Sequence, residues 1–369
     1  MKLALATAVA VAVSSTAATP QPRLAVAFSP RPATVEMGAP WQATLTVRRG
    51  GKAYTAARPR VETRLGSESR SFATTRVRAG VHRTRIVLAR PGRWRLGVRI
   101  AGRNVAAGAL TVIPALTNAM DADVLPDGSL LVGDFANYVL RARPGERPSI
   151  AAGNGALGSG GDGGPATAAR VGFPVEVASD PRGGFTIVSD ERRVRRVAPD
   201  GTISTLAELY QPTSHAHDPA GNVYVSELGG RLRRIDAATG AVTTVAEGLD
   251  RPHGLLVDGD GTLVVCETFA NRVVRVDPTT GRVTPVAGGL TQPVDVGRTR
   301  DGSFFVAAAE GIVRIESTGG IANVTPALRP NSVAVDAAGL VYFTELRRPR
   351  VRRLDPATGI VTTVLGRDT

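Results

Sequence analysis

One cysteine, two lysines, four histidines and 4% aromatic residues are what this 369-residue chain has least of. A lone Cys266 excludes an internal disulfide framework and a cysteine-based zinc cluster. So few aromatics leave no stacking platform for bases, and no sequence-specific nucleic-acid partner is expected. No Gly-x-Ser-x-Gly elbow and no Ser-His-Asp order appears. Nor does any apolar run approach the eighteen or so residues of a membrane-spanning helix. Leu3 to Val13 is a run of only eleven, preceded by Met1-Lys2 and followed by Ser15-Thr16-Ala17-Ala18. That order of basic start, short apolar stretch and small residues predicts a secretory signal over 1–19. It predicts a secreted or cell-envelope protein with no transmembrane segment in the mature chain. Hydrophobic residues make 43% of the whole, enough for a sizeable core.

Charge divides the chain. Residues 20–113 hold 18 Arg and Lys against 3 Asp and Glu, whereas 114–369 hold 26 against 29. Two segments of such different balance read as two domains. In the first the period is two: Trp94, Leu96, Val98 and Ile100 alternate with Arg93, Arg95, Gly97 and Arg99. Glycine-containing turns recur through the segment, so 20–113 is expected to be a β-sandwich. Pro91 to Ile100 resembles the last strands of small immunoglobulin-like domains in bacterial exported proteins. Arg76/Arg78, Arg83/Arg85 and Arg93/Arg95 are i, i+2 pairs, with Arg99 further along. If their strands were neighbours they would share one surface fit for an anionic cell-wall polymer or membrane surface. The competing explanation is a polar outer face in a genome that favours arginine.

Beyond residue 114 the sequence repeats. A glycine opens an apolar strand that usually ends in an acid six positions on: Gly128 to Asp134, Gly184 to Asp190, Gly221 to Glu227, Gly261 to Glu267 and Gly339 to Glu345. In the fifth unit Gly302 leads to Ala308, with Glu310 as a candidate substitute. Prolines 174, 212, 252, 293 and 330 precede the units. Arginines 141, 196, 234, 275, 314 and 353 follow the acids and are expected to pair with them across the hairpin. Four short strands per repeat predict an all-β architecture: an immunoglobulin-like sandwich followed by a six-bladed β-propeller over 114–369. Segments such as Arg251 to Pro278, and the glycine-rich insertion from Ala152 to Pro174, resemble the NHL-repeat propellers. That family contains enzymes, receptors and interaction modules. Within the insertion, Gly153, Gly155 and Gly158 match a dinucleotide fingerprint, but Ser159 to Gly164 cannot open the required helix. A coiled or flexible connection is expected there instead.

In such a propeller the residues after each proline should line the channel mouth: Met120-Asp121, Val175-Glu176, Thr213-Ser214, His253-Gly254, Val294-Asp295 and Asn331-Ser332. Carboxylate and amide oxygens converging there suit Ca²⁺ or Mg²⁺. His215 and His217, further along the third unit, read either as polar strand residues or as groups directed into the channel. Pro252-His253-Gly254 and Tyr342-Phe343-Thr344-Glu345 resemble motifs of the virginiamycin B lyase family, metal-dependent enzymes on this fold. The resemblance implies His253 as general base and Glu267 as metal ligand. Arg251 stands where that family has a glutamate, and Thr213 where it has a histidine. Gluconolactonase-like propellers imply acid and asparagine ligands instead, for which Asp121, Glu176, Asp295 and Asn331 are available. Cys266, inside an apolar strand beside Glu267, reads as a small core hydrophobe. The leading expectation is a binding protein that takes a protein or small-molecule ligand at the propeller rim. A metal-dependent lyase or lactonase-type hydrolase is the alternative.

Overall fold

The computed structural model describes residues 23–367 apart from 57, 190–191 and 326–328. The expected signal at 1–19 and the periodic Asp190 lie outside the described residues. The chain divides into two compact units: one built from residues up to Ala33 with Trp41–Ile86 and Arg93–Leu110, the other from Thr34–Pro40, Val87–Gly92 and Thr111–Thr369.

The first unit consists of small sheets. Its strands are β1 (Leu24–Ser29), β3 (Pro40–Arg49), β4 (Lys52–Ala53), β5 (Arg60–Leu65), β6 (Glu68–Phe72), β7 (Thr75–Arg78), β8 (Val81–Val87), β9 (Gly92–Ile100) and β10 (Arg103–Ile113). The short β2 (Thr34–Glu36) belongs to the second unit, parallel to the last three residues of β10. β1, β3, β8 and β7 lie in one sheet, with β4 on β3; β10, β9, β5 and β6 follow one another in the other. The period of two holds: Trp94, Leu96, Val98 and Ile100 are buried while Arg93, Arg95 and Arg99 are exposed.

The single arginine surface expected from the i, i+2 pairs is not formed. Arg76 and Arg78 on β7 and Arg83 and Arg85 on β8 lie on neighbouring strands, but Arg93, Arg95 and Arg99 are in the other sheet. A bulge in β7 separates even the first pair, setting Arg76 opposite buried His82 and Arg78 opposite Val81. Arg85 does not join Arg76 and Arg78 as expected. The pairing of β7 with β8 ends at Thr75 opposite Arg83, so exposed Arg85 lies two residues past the last pair and faces no β7 residue. The physical reason is length: β7 has four residues against the seven of β8.

In the second unit, six four-stranded antiparallel sheets follow one another along the chain as the blades of a β-propeller. The first strands of the blades are Ala119–Val124, Pro174–Ser179, Pro212–His217, Pro252–Val257, Asp295–Arg298 and Pro330–Val335. All six second strands are buried along their whole length. Apolar layers fill the space between adjacent blades. Val264, Cys266 and Val273 of blade four, for example, pack with Val296, Phe304 and Val306 of blade five. Cys266 is thus the core residue expected of it, and burial, reinforced by Asp295, pushes its thiol pKa up.

A second contact joins the blades near the axis. In five of the six blades the side chain two positions after the blade-start residue, Ala119 in the first blade and a proline in the others, reaches a backbone N–H of the next blade's first strand. Asp121 accepts from Val177 N at 2.7 Å, Glu176 from His215 N at 2.5 Å, and Ser214 Oγ from Leu255 N at 3.0 Å. Asp295 accepts from Val333 N at 2.7 Å. The last blade holds the first in the same way, Ser332 Oγ accepting from Ala122 N at 3.2 Å. Asn331 Nδ2 and Thr344 Oγ1 both donate to the Met120 carbonyl. The ring therefore closes without splitting a blade. Blade four alone has a glycine at this position, and its N–H donates to the Val294 carbonyl instead, at 2.9 Å. A Cβ on Gly254 would lie 2.4 Å from Asp295 Cα.

The periodic acids and arginines do not pair with each other as the spacing suggested. Glu267 lies opposite Arg272 at the hairpin, but Arg275 is opposite Val264, about 10 Å further along the strand. The acids fasten the loop that leads into their own blade. Tyr210 N donates to Glu227, Asp250 N to Glu267 and Thr291 N to Glu310, the substitute for Ala308. Thr117 N and Asn118 N donate to Asp134. The arginine partners of Glu227, Glu267 and Glu345 are Arg231, Arg272 and Arg350 at the start of the third strand. Arg141, Arg196, Arg275 and Arg314 reach the opposite end of the hairpin, to Asp127, Asp180, Asp258 and Asp301.

The glycine-rich insertion is a packed loop with one short 3-10 turn, Ala166–Ala168. Buried Arg195 holds it through Asp162 and the Arg170 carbonyl, and a Cβ on Gly155 would meet the Tyr138 ring.

Two substitutions check these assignments. Glu267→Ala removes a buried acceptor from a backbone N–H and a guanidinium, and should lower stability by about 2–3 kcal/mol in chemical denaturation. Divalent-cation binding by calorimetry should be unchanged in the same variant; loss of cation binding would restore Glu267 as a ligand. Gly254→Ala forces blades four and five apart and should cost about 1–3 kcal/mol. A neutral result would show that the seam yields freely.

Candidate functional site

A cavity of about 1240 Å³ lies on the propeller axis, lined by the first strands of the blades. It opens where the first strands end, among the turns near residues 126, 181, 219 and 259. The expected mouth at the blade-start prolines is the other end of those strands. Asp121, Asp123, Glu176, His215, His217 and Asp295 line the cavity. Arg298 also lines it, bound to Asp258 at 2.9 Å.

The acids at its floor are those that clasp the blades. Burial raises the pKa of Asp121 well above the ordinary carboxylate range, and the nearby Glu176 carboxylate raises it further. Asp295 is raised well above that range by burial, then by Glu176 and Asp121. Burial takes Glu176 to about 8, against the hydrogen bonds of Ser214 and His215 N–H. Asp123, whose oxygens accept from Ser179 N and Val124 N, is raised by burial too. Three carboxylates on one axis looked suited to a divalent cation, but their oxygens are turned to backbone N–H groups. Among the described residues no three His, Cys, Asp or Glu side chains gather around a point that could hold a metal ion. The arrangement does not fit the Ca²⁺ or Mg²⁺ site expected from Asp121, Glu176, Asp295 and Glu267.

One wall carries a chain of polar groups. Glu176 Oε2 is 3.1 Å from His215 Nδ1; His215 Nε2 is 2.6 Å from Thr186 Oγ1; Thr186 Oγ1 is 2.8 Å from His217 Nε2. A hydroxyl has one proton and two lone pairs, and the Thr186 hydroxyl also reaches the Ala178 carbonyl at 3.4 Å, so it can accept from both imidazoles or donate to one of them. Burial lowers both imidazoles to about 4; for His215 the Asp123 carboxylate opposes it, and for His217 the neighbouring His215 adds to it. Both histidines are accordingly neutral at pH 7. Sequence reasoning proposed the two histidines but missed Asp123 and Thr186. At the position of Thr186 in the register the other blades carry Leu131, Tyr224, Val264, Phe305 and Tyr342, so a small hydroxyl there stands out.

The remaining candidates are elsewhere. His253 is half-buried at the blade-start end, and its carbonyl accepts from Ser226 Oγ at 2.7 Å. Burial, then Arg251, lowers its imidazole pKa. Glu267 is fully occupied by Asp250 N and Arg272, so no base and ligand pair forms there. Arg251 is exposed with its guanidinium 4.4 Å from the centre of the Phe269 ring. Thr213 donates to the Pro252 carbonyl, and Asn331, Ser214 and Ser332 are spent on the seams.

No family model matches the chain, and no curated protein matches it. Solved structures do. Virginiamycin B lyase from Staphylococcus aureus aligns at a TM-score of 0.52 with 17% identity, over 69% of this chain and 88% of that one. A gluconolactonase from Xanthomonas campestris aligns at 0.52 with 15% identity, over 63% and 85%. An auxiliary nutrient binding protein from Bacteroides thetaiotaomicron aligns at 0.51 with 11% identity, over 92% and 98%. At these identities the likeness is one of fold: the second unit is a six-bladed β-propeller structurally like these lyase, lactonase and binding proteins.

Proposed function

We propose that this is an exported binding protein whose propeller cavity holds a small, uncharged, hydroxyl-rich molecule. The observation that carries the reading is the cavity of about 1240 Å³, whose floor holds carboxyls raised by burial and neutral imidazoles, while Asp180 and Asp258 at its rim are matched by Arg182, Arg196, Arg275 and Arg298. Protonated carboxyls and neutral imidazoles offer both donors and acceptors, which hydroxyl groups match in pairs. The binding-protein relative named above lends support, and the leader expected at 1–19 supplies the route to the cell exterior. The first unit, read as an immunoglobulin-like sandwich, keeps the protein at an anionic envelope surface through its excess arginine.

The binding reading is tested by calorimetry of the full chain against neutral mono- and oligosaccharides and small lactones. At least one neutral polyol should bind one-to-one, and His217→Ala should weaken it about tenfold, the loss of one good hydrogen bond to a ligand. Failure of every neutral compound to bind would overturn the assignment, and steady consumption of a lactone would replace it with a hydrolase.

Protonation gives a second check. Glu176 has its folded pKa raised to about 8, so the folded state holds a proton that the unfolded chain has released by about pH 5. Its contribution is fully present below the unfolded pKa and is lost as pH rises through about 8. The histidines, lowered to about 4, act with the opposite sign only between about pH 4 and 6.5. Above pH 6.5 the carboxyl groups act alone. The melting temperature should fall from pH 6.5 to 8.5, and more gently in Glu176→Gln; parallel profiles would show that Glu176 is ionised throughout.

A further inference from the structure

We propose that the exposed face of β5 and β9 is a docking groove for a phosphodiester polymer without bases, centred on Gly97. This rests on the reading of the first unit as an envelope-binding module and assigns it one face and one kind of partner.

The pairing of β5 with β9 sets arginines directly opposite one another. Arg60 faces Arg99 and Arg64 faces Arg95, with Glu62 opposite Gly97 between them. Residues opposite across a ladder project from the same side, with Cβ atoms about 5 Å apart. That is inside the screening length of about 8 Å at physiological salt, so each pair repels and weakens the sheet it stands on. Arg93, one step beyond Arg95 on the same side, adds a fifth guanidinium.

These arginines differ from those of the propeller in what they touch. Five of the propeller's six periodic hairpin arginines meet a carboxylate: Arg141, Arg196, Arg234, Arg275 and Arg314. Arg60 binds the Ser71 hydroxyl at 2.8 Å, and Arg64 the Gly66 carbonyl at 3.1 Å. The guanidiniums of Arg93, Arg95 and Arg99 make no hydrogen bond or ion pair to the described residues. Glu62, the one acid on the face, accepts from Ser71 and neutralises none of them at contact distance. A preference for arginine explains the residue type but not the missing acids, since the same chain supplies them to the propeller.

Between the two pairs, Gly97 leaves the face open. Its φ is not in the left-handed region, and an added Cβ would come no nearer than 3.6 Å to any neighbour, the Val105 carbonyl. Neither the backbone nor packing demands glycine here, and a bare strand interior is where a ligand can approach the backbone. The arginine pairs stand about 13 Å apart along the strands, on either side of the gap. Guanidinium forks bind phosphate oxygens two at a time, so a chain of phosphodiesters crossing the gap meets a fork at each wall. Two other polyanionic surfaces fit less well. The face has no aromatic ring for a base to stack on, only Ser69, Ser71, Glu62 and Gly97 between and beside the arginines. It has no exposed aliphatic residue to enter a bilayer either.

The experiment uses the full chain and a synthetic poly(glycerol phosphate), with phosphatidylglycerol vesicles and an oligothymidylate as comparators, titrated at several salt concentrations. Arg95→Glu/Arg99→Glu should weaken polymer binding at least about tenfold and reduce the salt slope by about 2, one per arginine. Arg83→Glu/Arg85→Glu, the same charge change on the other sheet, should alter it less than twofold. Gly97→Leu changes no charge and should also weaken binding, with the melting temperature reporting that the sheet is intact. Equal losses in the two arginine variants, or unchanged binding in Gly97→Leu, would overturn the groove while leaving a generally anion-binding unit. Tighter binding to vesicles or to the oligonucleotide would overturn the choice of polymer. If the wild-type chain binds none of the three, the envelope-binding reading falls with it.

Discussion

The structure of the propeller depends on how one sheet is held to the next. A blade of four short strands has two faces to cover, and only a closed ring covers both. Apolar layers supply most of the contact between blades, but such layers slide. What fixes the blades in angle is a directional bond near the axis, from the residue two places after the blade-start residue to the next blade's backbone. Ser332 makes the same bond to the first blade, so a ring of consecutive blades closes without exchanging a strand.

That solution determines the chemistry of the channel. Three of the clasping groups are the carboxyls of Asp121, Glu176 and Asp295, and a clasp needs each of them buried close to the axis. Burial and their mutual repulsion then keep protons on them. A carboxyl whose oxygen is already committed to an N–H is a poor metal ligand but remains a good hydrogen-bonding wall. The demands of ring closure thus favour a cavity for polar, uncharged molecules over a cation site. The Glu176–His215–Thr186–His217 chain carries the same logic outward, linking a clasping carboxyl to an imidazole on the cavity surface.

The architecture was legible because blades repeat. Glycines spaced by about one blade, the prolines that open five of the six blades and the alternation in β9 each follow from local chain geometry. The substitution of Glu310 for Ala308 was legible for the same reason: a loop N–H at the same place needs an acceptor. What spacing could not give was direction. Glu267 and Arg275 lie at a separation that permits an ion pair, and only the register shows that they leave opposite ends of the hairpin. Register likewise decides the fate of Arg85, which an i, i+2 pattern placed beside Arg76 and Arg78 but which lies past the end of β7. The cavity was placed at the wrong end of the first strands because sequence orders residues along a strand without saying which end is open. Asp121, Glu176 and Asp295 were identified as channel residues, yet their bonds to backbone N–H groups depend on neighbouring blades. No local pattern encodes that.

The two units deal with arginine in opposite ways, and the contrast bears on what each is for. In the propeller, arginine serves hairpins: Arg275 joins Asp258 and Asp260, and Arg298 shares Asp258 while lining the cavity. These guanidiniums are matched locally, and residues 114–369 as a whole are near neutral. On β5 and β9 arginines stand directly opposite one another in two pairs, and Glu62 on the same face accepts from a serine. An arrangement that raises the energy of the free sheet is relieved when an external polyanion takes its place between the pairs. The neutral polar recognition proposed for the cavity and the charged retention proposed for the sheet would require no shared residue, so either could change along the chain without disturbing the other.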